Sequence, residues 1–440
     1  DLALSPDGAH LWVARLDRGQ VVQVDTATGE ALAAVDTDQI MAWQLAWVPG
    51  TDGDSLWASD LEGETVAVID PAQGVLVRSI PLPTSPAGLA VAPDGGTVWA
   101  AVSGSDVVVA LDPATGDVTD TVAVAEADLV DASGAPRANS NVNALAFDAE
   151  TGRLYASRGA DNAVSVLSTD PLAVLGALPT AWYPTALALD TRAGLLVVVE
   201  GKGGGVGPSE GQGAKQRFQG SVTRVDLAAV DLAQATAQVS ANFQRPRAAW
   251  GADPCPDQFF PVPTRAGERS PIEHVVLIVK ENKTFDCVFG DLGDPRAAAD
   301  PAYVRWGEAI TPNQHALARA FALGDNFYTD TPNSDSGHSM LTGVHLTEFA
   351  ERMWIEDVRS GDFSDFPVSA ATVPDVGNLF THLVDHGVSL TIYGEIVGTF
   401  ATAANGERMI QYSDTRYPGG PFTNYGVTDE AKAAYVIEKL

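Results

Sequence analysis

"APDGGTVWAAVSGSDVVVALDPATG", residues 92–116, is a short sentence in the grammar of strands and tight turns. A Pro-Asp-Gly turn leads into a strand carrying Trp99. An alternating run, "VVVALD", then closes on the turn "DPATG". Such turns between short strands of period two are hairpin chemistry. The sentence recurs. "SPDGAHLWVA" (5–14) and "TDGDSLWASD" (51–60) place Trp12 and Trp57 where Trp99 stands, so the tryptophans are 45 and 42 residues apart. The turns "DTATG" (25–29) and "DPAQG" (70–74) keep the same spacing, and weaker copies follow in "DAETGRLYAS" (148–157), with Tyr155 in the Trp position, and "DTRAGLLVVV" (190–199).

A period of about 42 residues holding about four strands predicts β-propeller blades. Five fall within residues 1–243, the fourth with an insert around 127–140 and the fifth with a glycine-rich insert at 201–213. At a repeated strand position the aromatic residues read as blade packing, not as a ligand cage. The glycine-rich insert lacks the Lys-Ser/Thr ending of a phosphate-binding loop and reads as a flexible connection.

The bulk composition sets limits. The 440 residues suit two or three domains, and 45% hydrophobic with 19% charged residues describes a chain able to bury large cores. A net charge of -31 repels phosphate backbones and anionic lipid, which argues against nucleic-acid and membrane-surface partners. No apolar run reaches the roughly 18 residues of a membrane helix. Cys255 and Cys287 are too few for a disulfide scaffold or a zinc cluster; a pair across the interdomain segment and two separate thiols both stand as readings. The chain opens inside a repeat, which gives the expectation of a fragment.

After residue 243 the grammar changes. Residues 244–271 hold six prolines and no period, and read as a linker. In "HVVLIVKENKTFD" (274–286) the apolar run Val275–Val279 predicts a buried strand that delivers Glu281 and Asn282 at its tip. Helical patterns are predicted over 313–323, 337–353 and 376–387, with a strand at 388–395. The expectation is therefore an α/β domain over 272–440 with a parallel sheet, whose ligands bind at the carboxyl ends of its strands. "DNFYTDTPNSDSGHSMLTG" (325–343) sets Ser334 at a helix start, where it serves as a cap or as a nucleophile facing an incoming phosphate. His338, Thr342 and His345 share a face of the predicted helix.

These segments together carry a resemblance. "SPIEHVVLIVKENKTFDCVFGDLGD", "ITPNQHALARAFALGDNFYTD", "SDSGHS" and "LTIYGE" resemble the phosphoesterase branch of the alkaline phosphatase superfamily, over about residues 271–440. The repeats resemble the YVTN-type (YncE-like) propeller, a known fusion partner of that domain. The resemblance implies a hydrolase acting on phosphate esters, monoester or diester. It implies metal ligands at Glu281, Asn282 and Ser334, Ser334 as nucleophile, and His338 as a residue behind the metal or in contact with phosphate. Thr331 competes with Ser334 for the nucleophile role, and Ser336 stands where many relatives have Asp. Hard oxygen donors imply a divalent ion: Zn, Mn, Mg or Ca.

Relatives complete the metal site with a later acidic segment, which the chain up to "AKAAYVIEKL" does not contain. Asp385 and His386 read as a helix end and not as that segment. Truncation at both ends is therefore expected, with one or two blades before residue 1 and a fragment that binds metal weakly while its full-length parent is the enzyme. Export to the periplasm or beyond is the implied location. The alternative expectation is a propeller-based binding protein with a degenerate phosphatase-like domain.

Overall fold

The computed structural model describes residues 1–51, 53–124, 139–204, 219–243, 261–262, 269–280, 283–327, 331, 334–343, 345–352, 372–374, 377–395, 402–420 and 426–440. Most of both blade inserts and of the proline-rich linker lies outside the described residues. Five antiparallel sheets, four of four strands and one of three, form in strict chain order over residues 2–36, 42–81, 86–123, 142–179 and 182–226. This is a propeller-like β fold. The helices among the described residues are α1 (Leu232–Phe243), α2 (Phe285–Phe289), α3 (Pro312–Ala320), α4 (Ser334–Gly343), α5 (Glu348–Arg352), α6 (Leu379–Asp385) and α7 (Asp429–Lys439).

Local turn chemistry explains the repeat. In the Asp-x-x-x-Gly turns the aspartate side chain accepts from the backbone N–H groups two and three residues on. Asp25 takes Ala27 and Thr28, and Asp70 takes Ala72 and Gln73. The closing glycine donates back to the aspartate carbonyl, as Gly116 does to Asp112 at 2.7 Å. Gly116 has φ +82°, a conformation that side chains with a Cβ resist.

Each of the first four blades buries its aromatic residue against the next blade. Trp12 packs with Leu45 and Leu56 between blades one and two, and Trp57 with Leu89 and Val98 between two and three. Trp99 joins Leu145 and Leu154, and Tyr155 joins Leu196 and Val198. The repeated aromatics are therefore packing residues. Gly88 shows how close the sheets come, since a Cβ there would lie 2.9 Å from Ala144 Cα of the neighbouring blade.

Two compact units divide the chain, residues 1–243 with 338–440, and residues 244–337, with the boundary inside α4. In the smaller unit, buried His315 on α3 is tied at both ring nitrogens. Nε2 lies 3.0 Å from Asp291 Oδ1, and Nδ1 lies 2.9 Å from the Thr311 carbonyl. Phe289 of α2 packs on its ring at 5.3 Å. In the larger unit, Phe380, Ile392, Ala403 and Met409 form a small core under α6.

Several predicted elements differ. Residues 274–279 form no strand, and Val275 and Ile278 are 85% and 79% exposed. A parallel strand exists only through partners that satisfy its backbone groups. None is present among the described residues of 244–337, so the apolar run stays uncovered. The strand predicted at 388–395 is reduced to one bridge, Ile392 to Ser413, and no parallel sheet forms among the described residues of 244–440. The single helix predicted over 337–353 is two. Gly343 ends α4, and Thr347 starts α5 by accepting from Ala350 N–H through its hydroxyl at 3.2 Å. His345 lies between them and so does not share a helical face with His338. As predicted, Asp385 and His386 end a helix, α6.

Trp99→Ala is expected to cost about 3–5 kcal/mol in denaturant unfolding. Val222→Ala, at a side chain 63% exposed, is expected to stay within about 0.5 kcal/mol. Equal losses from the two would contradict the packing role of the aromatic repeat.

Candidate functional site

Two carboxylates organise the polar side chains of the larger unit. The first is Glu395. Its oxygens lie 3.0 and 2.9 Å from His338 Nδ1. A carboxylate only accepts, so Nδ1 carries a proton and donates it to Glu395. The pair is largely sheltered, with 21% and 14% of the side chains exposed. Glu395 is delivered by Gly394, at φ +76°, where a Cβ would meet the Tyr417 ring at 2.9 Å. Behind it the Ile392–Ser413 bridge and the ring cluster of Tyr393, Tyr417 and Tyr435 hold the segment, and the Tyr435 hydroxyl donates to Asp414 at 2.9 Å.

The second carboxylate is Glu348, at the start of α5 and 1% exposed. It accepts from the Tyr183 hydroxyl at 2.6 Å, from Asn143 Nδ2 at 3.0 Å and from Arg352 Nε. Burial, then the Glu348 charge, push the Tyr183 phenol well above its ordinary value, so it remains a donor. Arg352 also donates to the Thr185 carbonyl at 2.7 Å and lies over Trp43. Lys202 pairs with Glu351 at 2.8 Å and stands 5.2 Å from the Tyr183 ring centre. Phe349 completes the seat among Met41, Leu61 and Ala87. Blades two to five thus all contribute to holding α5.

Tyr183 has φ +61°, a costly conformation for a bulky residue, stabilised by its N–H donating to Asn162 Oδ1 at 2.8 Å. Just before α5, Asn141 donates to the Leu346 carbonyl at 2.8 Å and accepts from His345 Nε2 at 3.1 Å. Asn141 is itself placed by Asp106, whose carboxylate gathers the backbone N–H groups of Asn139, Ser140 and Asn141. A small cleft beside this seat is lined by Ser85, Ser103, Asn139, His345 and Thr347.

Of the residues singled out in the sequence, Glu281 and Asn282 lie outside the described residues. Ser334 is the first residue of α4, its side chain outside the described ones. Thr331 and Ser336 are both buried. His338 is brought to Glu395, and Thr342 only back-bonds to the His338 carbonyl at 2.9 Å. Cys287 is a free thiol accepting from Thr284, while Cys255 lies outside the described residues. Among the described residues no group of three His, Cys, Asp or Glu side chains converges as a metal site. No described helix is long and apolar enough to cross a membrane. Sequence reading missed Glu395 as the histidine partner, although it ends the quoted "LTIYGE", and it missed Glu348, Tyr183 and Asn143 altogether.

No family model and no curated protein matches the chain. Among solved structures it is similar to Kuenenia stuttgartiensis hydrazine synthase, at 18% identity and a TM-score of 0.40 over 51% of this chain. It is similar also to a mitotic checkpoint complex (17%, 0.39, over 46% of this chain) and to a functionally unknown protein from Desulfotomaculum acetoxidans (16%, 0.39, over 46%). The chain spans 61%, 56% and 62% of those three chains. Likenesses this distant carry no argument about function. What stands is the class of fold, propeller-like and β-rich, with a polar seat built at blades two to five.

Burial pushes the Asp106 carboxyl up from 3.8 to about 6. A group that holds its proton more tightly when folded adds stability below its unfolded value and loses it as pH rises through the folded one. Asp106→Asn is therefore expected to gain more thermal stability than the parent between about pH 4 and about pH 7. Parallel melting curves at those two pH values check this, and identical pH slopes would contradict it.

Proposed function

We propose that the chain is part of a metal-dependent phosphoesterase, a hydrolase acting on phosphate monoesters or diesters, in which a YVTN-type propeller serves as the accessory domain. One observation carries this reading: His338 of "SDSGHS" meets Glu395 of "LTIYGE", two segments 57 residues apart that the phosphoesterase resemblance had quoted separately. A carboxylate on Nδ1 is the usual way to fix the ring and tautomer of a histidine that works through Nε2.

Glu281, Asn282 and Ser334 offer carboxylate, amide and hydroxyl oxygens, a donor set that fits a hard divalent cation but leaves its coordination incomplete. Such an ion, when bound, supplies positive charge that eases deprotonation of a hydroxyl and neutralises developing negative charge. The Ser334 hydroxyl attacks phosphorus in line; its bond to phosphorus forms as the ester P–O bond breaks, and the leaving oxygen departs with a proton. Water then hydrolyses the phosphoserine and returns the serine. His338, steered by Glu395, contacts the phosphoryl group through Nε2. Thr331 is the competing nucleophile.

Filling of the propeller seat by the chain's own α5 favours a supporting role for the propeller over the alternative of a free-standing binding ring with a degenerate second domain.

Turnover of p-nitrophenyl phosphate and of a bis-ester by the complete protein, with and without chelator, tests the reading. Ser334→Ala is expected to remove turnover, and Glu395→Gln to lower it about 10–100-fold. Unchanged turnover in Ser334→Ala would sink the nucleophile assignment. Full activity in chelator would sink the metal.

A further inference from the structure

The buried ring of contacts around Glu348 does more than stabilise a short helix. Residues 345–352 follow the C-terminal end of α4, and each hydrogen bond from this stretch to the propeller reaches a residue from 149 to 205 positions away. His345, two residues beyond α4, is held by Asn141. Glu348, three further on, is held by Tyr183 and Asn143. Lys202 and Thr185 hold Glu351 and Arg352. A helix whose C-terminal continuation is fixed at successive points cannot rotate freely, so the direction in which His338 faces is set partly by blades four and five.

We infer that Tyr183 and Asn143 are positioning residues for the His338 site: by holding the Glu348 carboxylate they fix residues 345–352 on the propeller, and through them the helix that carries His338. The inference rests on the phosphoesterase reading for its catalytic consequence, but the clamp itself does not depend on that reading. The chemistry suits a clamp. An ionised carboxylate taken out of water is strongly disfavoured unless donors surround it, so Glu348 can be buried only where these donors converge, which gives α5 one position on the propeller. Three donors from two directions, one a phenol and one an amide from different blades, fix orientation as well as distance. The strained backbone at Tyr183 points the same way, because a residue is kept at positive φ where its surroundings over-determine it. The propeller thereby becomes part of the site's alignment, which gives a physical reason for joining the two folds in one chain.

The test uses the full chain and two readouts. Amide exchange over residues 338–352 reports the clamp, with the buried strand Val98–Val102 as an internal reference. Tyr183→Phe removes one hydroxyl without changing the ring. It is expected to speed exchange over 338–352 about tenfold, the size set by one hydrogen bond to a charged group, while Val98–Val102 keeps its protection. Glu348→Ala is expected to do more, and Glu348→Gln to restore part of the protection. In p-nitrophenyl phosphate turnover the same variants are expected to lower kcat with KM within about twofold, since alignment and not ground-state binding is lost. Unchanged exchange over 338–352 in both Tyr183→Phe and Glu348→Ala would overturn the clamp. A loss of protection spread equally over Val98–Val102 would overturn it too, by showing that these residues support the blades. Faster exchange with unaltered kcat would overturn the positioning role. Absence of any turnover by the unsubstituted complete protein would overturn the phosphoesterase reading, and with it the catalytic half of the inference, leaving exchange to judge the clamp.

Discussion

A single carboxylate, Glu348, is the point on which the larger unit turns. It is one of the most completely buried charges among the described residues, and it comes from a helix of five residues that has no stability of its own. Its propeller donors, Asn143 and Tyr183, lie on strands of blades four and five, Arg352 of its own helix is a third, and Phe349 of the same helix packs among Met41, Leu61 and Ala87. Removing any one partner would leave a buried charge short of donors, the costly case for ion pairs in proteins. Charges balance locally, with Glu348 and Glu351 facing Arg352 and Lys202. The strand positions of the propeller, the strained Tyr183 and the Asp106-organised turn at Asn141 all acquire a purpose from this one seat.

The blades were legible in sequence because what specifies them is local. An Asp-x-x-x-Gly turn closes on itself, a Trp repeats at a near-constant interval, and each blade packs mainly on its neighbour in the chain. Trp12, Trp57, Trp99 and Tyr155 could be assigned to packing before any coordinates, and they pack. The interactions that follow residue 243 are the opposite kind. Glu348 meets Tyr183 across 165 positions and His338 meets Glu395 across 57, and nothing in the spacing of either pair announces it. The run at 275–279 shows the converse failure. Its apolar character is consistent with a central parallel strand, yet a strand is a property of a sheet, and with no partner strand among the described residues the same side chains stand exposed.

The two carboxylate anchors divide the work. Glu395 fixes the ring of His338 from a segment pinned by the Ile392 bridge and three tyrosines, and Glu348 fixes the backbone that leads away from the same helix. One sets orientation about the side chain and the other sets the helix itself. That combination is what a site needs if a catalytic imidazole is to be held without a large domain core around it. The proposed phosphoesterase chemistry draws on this rigidity for its histidine, and on residues of the 281–282 and 334 segments for its oxygen donors.

A double-mutant cycle between Tyr183→Phe and Glu348→Gln, read by reversible unfolding of the full chain, measures the central interaction without reference to any activity. The two losses are expected to be non-additive, with a coupling of about 1–3 kcal/mol, as befits a phenol donating to a buried carboxylate. Losses that simply add, to within about 0.3–0.5 kcal/mol, would contradict it.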